Sequence, residues 1–469
     1  MISFALANAI TFLQFGASIV IARLLSPKEI GIYSIAAAIV GIAQLFRNVG
    51  VANYLVQEKN LTHDKLRSAF GIQLVMSWFL GLLLFLSSGL VATLYNEEGV
   101  HQVMIVSSAT FLLAPFGGVN LTLLARDMKF RERSVVEIVS SITHACISIT
   151  MAYLGFGYMS LAWASLGNTL ATVVVSSFFR RRGLPWLPGF REVRSVLSFS
   201  MPTAGADIVR YLRTNTPELV AGRVISFEAV AFLSRASGLI RIFESVVGSA
   251  INRVAFAYFP QEHRLGSNLK TLYIKANSYL CVVAWPFFAT LAVLAKPVVE
   301  LLYGNQWTDS IPLVQILAVA AALAAPFSLT NTTLNAIGAV KTIFGFEAML
   351  FVLSAGMLLI AANFGITAVA AVLVLISACS SALCARYLRK LLAVGFHDIF
   401  RSSAAAIPAT LASLAIPIWV MYFSNIEQTW ITLAVSGFGA VAGWLLSILI
   451  GRHPFSLEII GAAKRVWNR

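Results

Sequence analysis

Charge is scarce in this chain. Aspartate, glutamate, lysine and arginine make up 12% of its 469 residues, against 58% hydrophobic residues, where soluble domains carry about 25% charged residues. That shortage excludes a water-soluble globule, since too little polar surface exists to coat one. The mean hydropathy of +0.82 instead suits a chain whose solvent is a bilayer. Cysteine is sparse too. Cys146, Cys281, Cys379 and Cys384 lie in apolar stretches, with no CxxC pair and no Cys/His spacing suited to a metal. They read as small core hydrophobes, so no metal and no redox role is expected. P-loop, GxGxxG and nucleophile motifs are absent. The chain is therefore expected to be no enzyme and to need no cofactor, and any energy must come from an ion or substrate gradient. Positive charge is in excess, at a formal net +14. In a soluble protein that would suggest nucleic acid. Here the basic residues sit in short gaps between apolar runs, none long enough for a nucleic-acid module, so the bilayer is the expected partner instead.

A hydrocarbon core about 30 Å thick takes roughly 20 apolar residues at about 1.5 Å each. The apolar runs predict fourteen helices, over 3–22, 30–46, 69–94, 100–124, 135–155, 158–179, 196–222, 228–258, 273–296, 311–336, 343–363, 366–386, 404–423 and 429–450. The fold class is an all-α polytopic membrane protein. The first span lacks a basic leader and is long for a signal peptide, so it is expected to remain as a helix. Lysine and arginine concentrate in alternate gaps, including Arg126 to Arg133, Arg180 to Arg194 and Arg386 to Arg401, while the other gaps hold only Arg23, Lys28, Arg223 and Lys296. By the positive-inside rule both termini are expected in the cytoplasm.

The chain also repeats itself. Arg23, Ser26, Ser34 and Ala36 meet Arg223, Ser226, Ser234 and Ala236 at an offset of 200, without a gap. Leu94-Tyr95-Asn96 echoes Leu302-Tyr303-Gly304, and Ala114-Pro115-Phe116 echoes Ala325-Pro326-Phe327. Spans 1–6 and 7–12 thus read as two parallel six-helix repeats entering the membrane in the same sense, with two C-terminal helices added. The expected organisation is an N-lobe over 1–194, a C-lobe over 195–395, and the last two spans with a cytoplasmic tail over 396–469. Transporters of this build bind substrate between their halves and work by alternating access.

Spans 7 and 8 carry charges that a bilayer disfavours. Asp207, Arg210, Arg213 and Glu218 fall in the first, Arg235, Arg241 and Glu244 in the second. An ionisable side chain at mid-bilayer costs about 2.5–3.5 kcal/mol, so it usually faces a cavity or a partner. Asp207/Arg210 and Arg241/Glu244 have the i,i+3 spacing of helical ion pairs; Arg213 and Arg235 have no such local partner. The first repeat is apolar at most of the equivalent places. Two readings follow: a water-filled cavity whose basic wall binds an anion, or a self-neutralised structural network. Asn8, Thr11 and Gln14 form a polar stripe on span 1 that could face the same cavity. Glu347 either shares that environment or snorkels to water near the end of span 11. Pro115, Pro202, Pro217, Pro286 and Pro326 lie within spans, where each frees a backbone carbonyl and permits a kink.

The run Ala22-Arg23-Leu24-Leu25-Ser26-Pro27-Lys28-Glu29-Ile30-Gly31-Ile32-Tyr33-Ser34 resembles the opening signature of the Wzx-type polysaccharide flippases, in the multidrug/oligosaccharidyl-lipid/polysaccharide exporter superfamily. So do Tyr54-Leu55-Val56-Gln57, the Leu124 to Phe130 loop, Ser234-Arg235-Ala236, and Leu301-Leu302-Tyr303-Gly304 followed by Trp307. The likeness covers essentially the whole chain. Where the family often has Asn-x-Asp-Lys, this chain has Asn215-Thr216-Pro217-Glu218. The resemblance implies a bacterial inner-membrane protein that flips undecaprenyl-pyrophosphate-linked oligosaccharide repeat units outward for exopolysaccharide, lipopolysaccharide or capsule assembly. It implies working alongside a polysaccharide polymerase and a chain-length regulator. Arg210, Arg213, Arg235 and Arg241 suit the pyrophosphate by chemistry, with Asp207, Glu218, Glu244, Asn8 and Gln14 as supporting or ion-coupling groups. A drug or cation antiporter of the same superfamily is the alternative, though its cavity should favour carboxylates. A polymerase or membrane glycosyltransferase would generally use a large outer loop, and no span-to-span gap here is long enough for one.

Overall fold

The structure, a computed structural model, describes residues 2–47, 51–58, 60–179, 187–265, 268–424, 428–451 and 453–456. Every element is helical, and among the described residues there is no strand. In chain order the helices are α1 (Ile2–Leu24), α2 (Pro27–Arg47), α3 (Val51–Gln57), α4 (His63–Tyr95), α5 (Glu98–Arg126), α6 (Phe130–Tyr153) and α7 (Met159–Phe178). There follow α8 (Val193–Val224), α9 (Phe227–Phe243), α10 (Ser249–Arg264), α11 (Leu269–Val293), α12 (Ala295–Leu302) and α13 (Ser310–Ala324). The last six are α14 (Thr330–Ala336), α15 (Val340–Ala361), α16 (Ile366–Leu392), α17 (Phe396–Ala404), α18 (Ile407–Phe423) and α19 (Thr429–Ile450). Among the described residues, 11 stretches are long and apolar enough to cross a membrane, α13 with α14 and α17 with α18 each counting once. The other three expected spans are helical as well: α1, α8, and α9 running through a π-helical turn at Glu244–Gly248 into α10. The multi-pass all-helical architecture therefore follows the expected order of spans. Of the basic residues expected on the cytoplasmic side, Lys59, Arg180, Arg181, Arg182, Arg452, Lys464, Arg465 and Arg469 lie outside the described residues.

The repeat is visible in backbone geometry. After α1, the N–H of Leu25 donates to Ile21 O at 2.9 Å; after α8, that of Ile225 donates to Ala221 O at 2.8 Å. Each turn ends in a serine that caps the next helix. Ser26 Oγ accepts from Glu29 N at 3.3 Å, and Ser226 Oγ accepts from Ala229 N at 3.1 Å. At Ser26 the cap is reciprocal, since its own N–H donates to Glu29 Oε2 at 2.8 Å, and Pro27 at the first helical position needs no donor of its own. The second echo shares a rarer feature. Asn96 and Gly304 both take positive φ, at 53° and 95°: Asn96 caps α4 in the left-handed conformation, whereas Gly304, one residue past the cap of α12, has an extended ψ of 173° that only Gly readily adopts.

The chain divides into two compact units, Met1–Ala231 with Glu347–Asn363 and Phe232–Phe346 with Phe364–Arg469. Within the first, α4 packs on α5, α6 on α7 and α1, and α2 on α5 and α8. Tyr54, Leu55, Phe70 and Leu123 centre one core cluster. Contact between α2 and α8 depends on a missing side chain: a Cβ at Gly41 would overlap the Tyr211 hydroxyl, which reaches Ala38 O at 3.4 Å. In the second unit α11 packs on α13 and α18, α13 on α16, and α18 on α19, with Phe259, Tyr273, Leu329 and Ile399 in one core cluster. All four cysteines are free. Leu86, Leu90, Phe438 and Ile450 are exposed, as an exterior in contact with hydrocarbon requires.

Candidate functional site

Two of the candidate arginines, Arg210 and Arg213, stand well inside a long helix. Helix α8 has 32 residues, and Arg213 lies about 16 Å from its end at 1.5 Å per residue. Pro217, buried one turn further on, cannot donate the helical hydrogen bond to the Arg213 carbonyl. The side chain of Arg213 has found a partner that helical spacing did not offer. Its Nε donates to Glu347 Oε2 at 2.9 Å, within the first unit. The Glu347 side chain is 2% exposed and that of Arg213 22%. Glu347 therefore does not snorkel to water from the end of span 11; it is enclosed in an interhelical ion pair. The reason is energetic. Either charge alone at this depth would be costly, and breaking one member of a buried pair typically costs about 3–5 kcal/mol.

The other charges of α8 behave differently. Arg210 is exposed, while Glu218 is half-buried and near enough for its charge to act on Tyr211. Asp207 is on the helix, its side chain outside the described residues. In the second unit, Arg241 and Glu244 are both exposed at the junction of α9 and the π-helical turn. They do not close the i,i+3 ion pair that their spacing allowed, among the described residues. A π-turn widens the helix by one residue per turn and occurs often at functional sites. Here it begins three residues after Arg241.

Arg235 is held by aromatic faces. Its guanidinium carbon lies 5.8 Å from the centre of the Tyr303 ring and 5.5 Å from that of Trp307. Both rings are buried, and Phe232 meets Trp307 edge-on at 5.9 Å. This joins two of the short motifs that carry the resemblance, Ser234-Arg235-Ala236 and the Tyr303 to Trp307 stretch. Of the polar stripe on α1, Gln14 donates to Ser141 Oγ on α6 at 3.3 Å, and Asn8 is half-buried.

The structure thus brings Arg210, Arg213, Glu218 and Glu347 to one unit, and Arg235, Arg241 and Glu244 to the other. Arg210 and Arg241 are exposed, and a guanidinium facing hydrocarbon would be strongly disfavoured. Exposed guanidinium forks suit the oxygens of a phosphate or pyrophosphate. Among the described residues no group of three or more His, Cys, Asp or Glu side chains is placed to hold a metal. Sequence reasoning missed the role of Glu347. A signal existed: it is the only carboxylate in spans 11 and 12, while Arg213 lacked a neighbour of opposite charge on its own helix.

A family model described as "Polysaccharide biosynthesis protein" matches residues 20–312. The succinoglycan biosynthesis transport protein ExoT of Rhizobium meliloti (strain 1021) is 27% identical over 334 residues, which cover 70% of this chain and 66% of that protein. The lipopolysaccharide biosynthesis protein WzxC of Escherichia coli (strain K12) is 21% identical over 304 residues, 64% of this chain and 61% of that one. The matched part thus spans just under two thirds of the length of these relatives. Among solved structures, the lipid II flippase MurJ in an inward closed conformation is similar with a TM-score of 0.78 and 13% identity, covering 96% of this chain and 99% of that one. At that identity the likeness is one of fold.

Proposed function

The chain belongs to the polysaccharide biosynthesis protein family, and from that premise we propose that it is a flippase for undecaprenyl-pyrophosphate-linked oligosaccharide repeat units. It moves them from the cytoplasmic to the outer leaflet of a bacterial inner membrane by alternating access. Both termini are cytoplasmic in this reading, and the working lobes are 1–194 and 195–395, with 396–469 added. Substrate and product are the same molecule on opposite sides, so no bond is made or broken and no catalytic residue is required. A polysaccharide polymerase and a chain-length regulator act on what it delivers.

One observation carries the reading: two exposed arginines, Arg210 within α8 and Arg241 in the last turn of α9 before the π-turn, with Arg213 partly exposed beside its carboxylate partner. Each of them is suited to a pyrophosphate, whose oxygens match guanidinium forks, while the isoprenoid tail stays among lipids. Asp207, Glu218, Glu244, Asn8 and Gln14 set the charge and polarity around them. Arg235, clasped by Tyr303 and Trp307, acts by positioning its helix. A drug-cation site would favour carboxylates over this basic balance.

The test is complementation in a strain lacking its own flippase for a lipid-linked repeat unit. Arg210→Ala, Arg213→Ala and Arg241→Ala are each expected to insert, to abolish polymer export, and to leave lipid-linked units facing the cytoplasm; Arg213→Ala alone should also lower the melting temperature, because it strands the buried Glu347. Normal export from all three variants would end the anion-site reading.

A further inference from the structure

Arg213 is both held and available. Its Nε donates to Glu347 at 2.9 Å, yet 22% of its side chain remains open, whereas Glu347 is almost wholly enclosed. The helix that carries Glu347 is otherwise apolar; Lys341 at its start is its only other charge. A guanidinium has five N–H donors in a fixed fork, and a carboxylate oxygen and a phosphate oxygen seek the same ones.

We propose that Glu347 is an internal counter-ion, which holds Arg213 while the site is empty and competes with the incoming pyrophosphate for it. The inference rests on the pyrophosphate reading given above and adds a residue that sets specificity and release. Unlike the exposed Arg210 and Arg241, Arg213 is largely enclosed, where a charge without a partner is unfavourable, and in the empty protein Glu347 supplies the anion. A pyrophosphate brings more charge and more acceptor oxygens than one carboxylate and can displace it. A monophosphate brings fewer and competes poorly. Because the carboxylate stays tethered to α15, it recaptures Arg213 as the substrate leaves. Affinity is thereby kept moderate, as a carrier that must let go on the far side requires. Glu347 is thus a positioning residue and touches no substrate.

The full chain in nanodiscs of phosphatidylethanolamine and phosphatidylglycerol serves as the test, with farnesyl pyrophosphate and farnesyl monophosphate as probes. Glu347→Gln keeps the side-chain shape and an acceptor oxygen but removes the competing charge. It is expected to bind farnesyl pyrophosphate roughly tenfold more tightly, given the strength of hydrogen bonds to charged groups. Its preference over the monophosphate should narrow. Unchanged or weaker pyrophosphate binding by folded Glu347→Gln overturns the proposal while leaving the substrate reading intact. Absence of pyrophosphate binding by the wild type removes both. A merely structural pair would lower the melting temperature of Glu347→Gln without tightening binding, which also overturns it. Should that variant not accumulate, the neutral double variant Arg213→Gln/Glu347→Gln is used. It is expected to bind farnesyl pyrophosphate more weakly than wild type, and equal binding refutes the idea.

Discussion

The guanidinium of Arg235 lies over the Trp307 ring at 5.5 Å, and Trp307 has no exposed surface. A half-buried cation over a buried indole face is worth about 1–2 kcal/mol. The contact fastens α9 to the turn after α12. Arg235→Ala should therefore lower unfolding stability in detergent by about 1–2 kcal/mol, and Arg235→Lys by less, because an ammonium keeps the charge and loses the planar stacking. Trp307→Ala should cost about 3–5 kcal/mol through the cavity it leaves. A double-mutant cycle measured by denaturant unfolding checks the coupling. Additive effects would show that the two side chains do not act on one another.

Helix α2 meets α8 where Gly41 leaves space for Tyr211. A methyl group at 41 would overlap the Tyr211 hydroxyl and press on its ring, so Gly41→Ala should destabilise by about 1–3 kcal/mol, as overpacked contacts do. Combining it with Tyr211→Leu should restore most of the loss. Melting curves of the single and double variants distinguish a local clash from a general effect of the substitution.

How much of this was legible in the sequence depends on the distance over which each feature acts. The helices were legible because hydropathy is summed over about twenty neighbouring residues and needs no knowledge of the fold. The turn after α1 and its copy after α8 were legible because Arg23, Ser26, Ser34 and Ala36 recur at a fixed offset of 200. The Arg213–Glu347 pair was not. Its members are 134 residues apart, and helical spacing reports only partners three or four positions away. The Arg235 clasp lay between these cases: both motifs could be seen, but nothing in either says that they touch. The π-turn at Glu244–Gly248 left no trace in the residue pattern, since it changes the register by which side chains around it face their surroundings.

A capping serine offers a measurable test of the repeat. Ser226→Ala removes the oxygen that accepts from Ala229 N, leaving one of the first-turn donors of α9 without it. A loss of about 1 kcal/mol is expected. Ser26→Ala should cost at least as much, because there Glu29 also loses the hydroxyl donor it accepts from at 2.8 Å. Equal melting temperatures for wild type and both variants would show that these turns are held by other contacts.

Glu58 follows α3 and accepts from Lys65 Nζ at 3.0 Å and from Asn60 N at 3.2 Å. The bond from Lys65, with that from Asn60 behind it, holds its carboxyl below the usual carboxylate range. The sign follows from linkage. A carboxyl depressed in the folded state adds stability above its unfolded value and loses that contribution as pH falls through the lower folded value. Wild type should therefore melt above Glu58→Gln near neutral pH, with the gap closing below about pH 4, where carboxylates ordinarily take up protons. Both residues of the pair are partly exposed, so added salt should narrow the neutral-pH gap as well. A gap that is constant from neutral to acid pH would separate the stability of this segment from the charge of Glu58.

Exposure at membrane depth has two meanings, contact with hydrocarbon or contact with water, and thiol chemistry separates them. Maleimides react with the thiolate, which forms only where water reaches the sulfur. Arg210 and Arg241 are exposed on α8 and at the end of α9; Leu86 is 66% and Phe438 80% exposed on α4 and α19. If each arginine borders water, Arg210→Cys and Arg241→Cys should react with a charged, membrane-impermeant maleimide. Leu86→Cys and Phe438→Cys, facing lipid, should not. The native thiol at Cys146 is exposed, so Cys146→Ser is the background for all four. Because hydration rather than mere openness is read, labelling of the two lipid-facing controls with sparing of both arginine positions would mean that these charges do not border water, and the pyrophosphate could not reach them from an aqueous side.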